Sequence, residues 1–216
     1  MRLPAFGPNA ALRVGLLGGS FNPAHDGHRH ISLVALKRLR LDAVWWLVTP
    51  QNPLKPVDGM ADLDSRVARA AAIARHPRIV VTDIERRLGT IYTVDTVRRL
   101  TEVWPRMRFV WLMGADNLAQ FPRWAGWTRI VKTLPVAAIA RPSYVGHALS
   151  GKMPARYAAS RLPEEDAGIL ADKTPPAWIF LRGRLHPASA TQIRKAAAAG
   201  SATVDATETG RKGTGS

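Results

Sequence analysis

Cysteine is absent from this chain of 216 residues, which excludes disulfides and thiolate metal sites from its architecture and chemistry. No apolar run approaches the ~20 residues that a membrane-spanning helix requires. Residues 1–11 hold one arginine and no continuous apolar stretch, unlike a secretory signal. They read as a loose leader, and the cytoplasm is the expected compartment. Acidic residues are scarce as well. Sixteen aspartates and glutamates stand against 31 lysines and arginines, a formal charge of +15. Such a field draws phosphate-rich ligands, whether nucleic acids or small substrates. The basic residues are spread through segments such as Lys37-Arg38-Leu39-Arg40, Arg86-Arg87 and Arg98-Arg99 and form no dedicated recognition element, so no nucleic-acid partner is expected.

What the chain does hold is one dense stretch, Gly18-Gly19-Ser20-Phe21-Asn22-Pro23-Ala24-His25-Asp26-Gly27-His28. It follows the apolar run Arg13-Val14-Gly15-Leu16-Leu17 and precedes an amphipathic segment, so it reads as the turn between a strand and a helix. Such a turn gathers backbone N–H groups and the positive end of a helix dipole, an arrangement suited to phosphate. Paired glycines permit close approaches that a Cβ would block. His25 and His28, three residues apart, share a face if the turn is already helical and can both donate to phosphate oxygens. A zinc pair is the other use for two such histidines, but it would need a third ligand, and only Asp26 and His30 lie nearby. The glycine spacing fits neither the dinucleotide-binding fingerprint nor the P-loop.

Along the chain, apolar runs at residues 13–17, 43–48, 79–82, 108–113, 134–140 and 178–181 read as strands. Amphipathic segments at 27–39, 62–75, 92–103 and 191–199 read as helices, with Asp62 as an N-cap. Alternation of this kind predicts a single α/β domain over 12–199, a doubly wound parallel sheet. Its ligands are then expected at the carboxyl ends of the strands. The stretch 143–176 reads as an excursion, and 200–216 as a disordered tail.

A second motif, His186-Pro187-Ala188-Ser189-Ala190-Thr191-Gln192-Ile193-Arg194, has the form loop, small hydroxyl residues, helix. Ser189 can cap that helix, the N–H groups around Thr191 can face an anion, and Arg194 one turn later can reach the same anion. Read alone, Ser189 is equally a plain N-cap and Arg194 a surface arginine.

Gly19 to His28 resembles the G-x-F-x-P-x-H-x-G-H signature of the nucleotidyltransferase superfamily with the H/T-x-G-H motif. The 186–194 stretch is similar to that superfamily's I-S-S-T-x-x-R motif, with Ala188 and Ala190 in place of isoleucine and the second serine. Thr49-Pro50-Gln51-Asn52-Pro53-Leu54-Lys55, Tyr92-Thr93-Val94-Asp95-Thr96 and Gly114-Ala115-Asp116-Asn117 through Trp124 resemble segments of the bacterial nicotinate-nucleotide adenylyltransferases. The resemblance implies a Rossmann-like nucleotidyltransferase fold and transfer of AMP from ATP to nicotinate mononucleotide, giving deamido-NAD and pyrophosphate. It implies His25, His28 and Arg194 as catalytic. ATP would be bound by Gly18, Gly19, Ser20, Phe21, Asp116, Ser189 and Thr191 together with those three. The mononucleotide would be bound by Asn22, Lys55, Tyr92, Thr93 and Trp124. Mg²⁺ is expected mainly on the ATP phosphates, with no protein metal ligand. A sister enzyme acting on nicotinamide mononucleotide or phosphopantetheine shares both phosphate motifs. The oligomeric state is not encoded in any visible pattern.

Overall fold

A computed structural model describes residues 11–50, 59–140 and 149–182. Lys55, Ser189, Thr191, Arg194, the helix expected at 191–199 and the tail lie outside the described residues, as does the leader apart from Ala11.

Seven parallel strands form one sheet. They are β1 (Arg13–Gly19), β2 (Ala43–Val48), β3 (Ile79–Thr82), β4 (Arg108–Gly114), β5 (Val136–Ile139), β6 (Arg161–Leu162) and β7 (Trp178–Leu181), in the spatial order 3-2-1-4-5-7-6. Every neighbouring pair runs parallel. The near-unbroken apolar runs reflect burial on both faces: every residue of β2, β5 and β7 is buried.

The helices are α1 (Asp26–Arg38), α2 (Leu63–Ala74), α3 (Ile84–Leu88), α4 (Thr93–Val103), α5 (Ala115–Gln120), α6 (Trp127–Thr133) and α7 (Lys152–Arg156), joined by short 3₁₀ turns. Strand alternation sends neighbouring side chains to opposite faces, and the two tryptophans of β2 make the division visible. Trp45 packs with Val97, Leu100 and Ile130 from α4 and α6 on one face. Trp46 packs with Ile31 and Ala35 of α1 and Val67 and Ala70 of α2 on the other. The result is three layers, α/β/α.

Some expectations shift. The third and last strands and β2 begin and end where the apolar runs do, and Asp62 accepts the Ser65 N–H at 2.9 Å as the N-cap of α2. The sequence places Ile31, Val34, Ala35 and Leu39 on the apolar face of α1; Ile31, Ala35 and Leu39 are buried, Leu36 joins them, and Val34 is only partly covered. The excursion contains structure that its mixed composition concealed. A 3₁₀ segment, Glu164–Asp172, lays Ala167, Leu170 and Ala171 into the core, and β6 pairs with β7.

Candidate active site

Sheet order reverses at β1. The chain goes outward through β2 and β3, then crosses to β4 on the other side. The crevice at the carboxyl ends of β1 and β4 is therefore the switch point where ligands bind in open parallel sheets. The glycine-histidine turn leaves β1 at that edge, and Asp116 stands in the first turn of α5, directly after β4. Both sides of the crevice thus carry residues singled out from the sequence.

The two histidines meet in a way that differs from the sequence expectation. His25 is not helical: its backbone is extended (φ −153°, ψ 167°) and it serves as N-cap of α1. The Gly27 N–H donates to His25 Nδ1 at 3.1 Å, and the His25 N–H donates to His28 Nδ1 at 3.3 Å, a reciprocal capping box. The rings end up 3.9 Å apart. A shared helix face is thus replaced by a cap, which uses up backbone donors that the turn could have offered to an anion. The chemical consequence favours the side chains. With Nδ1 accepting in each ring, the neutral imidazoles carry their proton on Nε2. Each can present an Nε2–H donor.

Beneath the histidines lies an aromatic floor. Phe21, with a left-handed backbone (φ 48°), is buried and stacks on Trp46 at 5.0 Å; its ring is 4.7 Å from that of His28. A left-handed conformation is uncommon for a phenylalanine and persists where packing dictates it. The Trp46 Nε1–H donates to the buried Ser32 Oγ at 2.7 Å, which fixes the indole. Asn22 faces the other way. Its amide donates to the Gly59 carbonyl at 3.1 Å, and its oxygen lies 3.5 Å from the Ala61 N, tying the turn to the chain entering α2.

Gly18 and Gly19 differ in what they leave room for. A Cβ on Gly18 would stand 2.6 Å from the Trp111 ring, whereas on Gly19 it would meet only Phe21, at 3.4 Å. Gly18 therefore serves packing within the fold, and Gly19 is the one whose missing side chain leaves the turn open. Trp111 in turn meets Trp124 edge-on at 5.9 Å, and Phe121 does so at 5.3 Å. Trp124 is half-buried against them, one ring edge anchored. Tyr92, 47% exposed, is the N-cap of α4, and among the described residues no side chain caps that helix. The N–H groups at Thr93 thus begin a helix of eleven residues with its dipole end available to a carboxylate.

Three buried charged residues, among them Asp83 at the N-cap of α3, had escaped the sequence reading. Arg66 of α2, 2% exposed, donates to the carbonyls of Ala61, Ser20, Thr49 and Pro50 at 2.8 to 2.9 Å. Loss of hydration pulls its pKa below the ordinary arginine value, and the Asp62 carboxylate partly offsets this. Glu85 of α3 is also buried and accepts from Thr96 Oγ1 at 3.0 Å. Burial raises its pKa, against the opposing effect of hydrogen bonds from Thr49 and Thr96. In a chain with so many arginines nothing marks Arg66. Glu85 carries a faint signal, being a carboxylate just past the end of an apolar strand.

A three-layer fold with capped histidines at the switch point defines a nucleotide-handling α/β protein, and the comparisons narrow that class. The cytidylyltransferase-like sequence profile matches residues 16–196. A protein of Parvibaculum lavamentivorans named probable nicotinate-nucleotide adenylyltransferase is 54% identical over 187 residues, covering 85% of this chain and 92% of that protein. One of the same name from Methylorubrum extorquens is 51% identical over 183 residues, covering 85% and 99%. Among solved structures, the nicotinic acid mononucleotide adenylyltransferase of Plasmodium falciparum complexed with NaAD superposes with a TM-score of 0.63 at 15% identity, covering 85% of this chain and 83% of that one. That likeness speaks to the fold. The chain belongs to the cytidylyltransferase-like family, and within it to the nicotinate-nucleotide adenylyltransferases.

Proposed function

We propose that the chain joins nicotinate mononucleotide to the AMP moiety of ATP, releasing pyrophosphate and forming deamido-NAD. The 5′-phosphate of the mononucleotide attacks the ATP α-phosphorus in line. A new P–O bond forms as the bond to the β-phosphate oxygen breaks, and no covalent enzyme intermediate arises. Catalysis of such a transfer rests on alignment and on neutralising the charge that develops. The observation that carries this reading is the capping box that brings the His25 and His28 rings to 3.9 Å, with Nδ1 of each accepting a backbone N–H.

In this scheme His25 and His28 hold the α-phosphate, beside the opening that Gly19 and Ser20 leave, with Phe21 as the floor and Gly18 behind. Asp116, across the crevice, accepts from ribose hydroxyls. Trp124 stacks on the pyridine ring, Tyr92 and Thr93 receive its carboxylate at the start of α4, and Asn22 shapes the near wall. Lys55 steadies the acceptor phosphate, while Ser189, Thr191 and Arg194 hold the leaving pyrophosphate. Among the described residues no group of three or more histidine, aspartate or glutamate side chains could hold a metal ion. In this reading Mg²⁺ would be held mainly by the ATP phosphates and water, where it would neutralise charge.

The test is pyrophosphate release from Mg·ATP with nicotinate mononucleotide, nicotinamide mononucleotide and phosphopantetheine as rival acceptors. Turnover dominated by nicotinate mononucleotide supports the reading. Turnover with another acceptor alone overturns the assignment of Trp124 and Tyr92.

A further inference from the structure

Ser20 and Tyr92 belong to opposite halves of the proposed site, yet a continuous hydrogen-bonded path connects them. The Arg66 guanidinium donates to the Ser20 carbonyl, directly after β1, and to the Thr49 carbonyl, directly after β2, both at 2.8 Å. The Thr49 side chain bonds to the Glu85 carboxyl. That carboxyl accepts from Thr96 Oγ1, which shares a 2.8 Å hydrogen bond with Thr90 Oγ1 and lies 3.3 Å from the Tyr92 carbonyl. Thr90 and Thr96 bracket the start of α4. Arg66, Glu85 and Thr96 are each under 5% exposed, and Thr49 between them is half-buried.

We propose that Arg66, Thr49 and Glu85 are positioning residues whose hydrogen-bonded chain fixes the separation between the turn that takes the ATP phosphates and the helix start that takes the acceptor. None of the three needs to touch a substrate. The inference rests on the acceptor assignment above. Its physical basis is that in-line transfer depends on the relative placement of two bound reactants, and a misplacement of about 1 Å can cost about 10²-fold in rate. A planar guanidinium with donors in a fixed fork sets such a distance better than a flexible ammonium does.

Thr49→Val is the informative variant, because it cuts the chain in the middle while the Thr49 carbonyl remains for Arg66. It is compared with Arg66→Lys, with the double variant, and with Glu85→Gln, which keeps an acceptor for Thr96. Thermal unfolding confirms the fold of each. The expected result is a kcat lowered by about 10- to 10²-fold in Thr49→Val, while the Kd of ATP alone and of nicotinate mononucleotide alone is unchanged. Glu85→Gln keeps near wild-type kcat. The double variant loses no more than the worse single one, as members of one path should. Amide exchange at Thr90 and Thr96 quickens in both Thr49→Val and Arg66→Lys.

Wild-type kcat in a folded Thr49→Val, or a loss of ATP and acceptor affinity that accounts for the whole drop in rate, overturns the proposal. Should the wild-type chain release no pyrophosphate with nicotinate mononucleotide, the acceptor reading fails, and the exchange measurement still decides the path. Faster exchange at Thr90 and Thr96 upholds the link, and unchanged exchange refutes it.

Discussion

The Trp111 ring lies over Gly18 so closely that no other residue fits there: a Cβ would sit 2.6 Å from its Cη2. Trp111 is 1% exposed and pinned between β1 and β5, so it has nowhere to retreat. Gly18→Ala should therefore destabilise the protein by ~1–3 kcal/mol, as overpacking does, lowering the thermal midpoint by several degrees. Any shift of Trp111 also passes to Trp124, so KM for the acceptor should rise more than KM for ATP. Calorimetry and steady-state kinetics check both parts.

His28→Ala should lower kcat by ~10²-fold or more if the imidazole contacts the transferring phosphate in the transition state. The fold should survive, since the variant removes one side of the capping box and leaves the His25 contact to Gly27 in place. A folded variant with near-normal kcat would remove His28 from the mechanism.

Ser32→Ala removes the partner that the Trp46 indole N–H has among the described residues, both side chains being fully buried. A stranded buried donor costs ~1–3 kcal/mol. Unfolding in urea should show that loss, and the aromatic floor under His28 should loosen with it.

Glu85 makes stability depend on pH with a definite sign. Its folded-state pKa lies above the usual 4.5 because burial disfavours the carboxylate. The folded protein thus holds this proton after the unfolded chain has released it. The stabilisation is complete below the unfolded value and is lost as pH rises through the folded one. Thermal midpoints of Glu85→Gln should therefore gain on wild type progressively above pH 4.5, with the gap closing in acid.

Much of this was readable from residue types. Strands such as Ala43–Val48 and Ile79–Thr82 declare themselves because burial on both faces leaves an unbroken apolar run. The glycine-histidine turn was legible as the link between a strand and a helix, because an apolar run precedes it and an amphipathic segment follows. How the histidines meet was not, because a cap and a helical face both bring together residues three apart, and only the extended backbone of His25 decides between them. Short elements also escaped. Ile84–Leu88 is charged at three of its five residues, and Arg161–Leu162 is too brief to show a period. Arg66 was invisible for a deeper reason. Its role lies in four backbone carbonyls from separate segments, and carbonyls carry no sequence signature.

The order of strands has a consequence for how the molecule comes into being. β1 is paired on one side with β2, some thirty residues onward, and on the other with β4, where Arg13 meets Arg108. Loop closure of that length is entropically slow compared with local pairing. During synthesis the histidine turn emerges early, but the wall bearing Asp116 and Trp124 is made only after some ninety further residues. A nascent chain therefore carries its glycine-histidine turn well before it has a crevice to put it in, and the crevice arrives with β4 rather than with the turn.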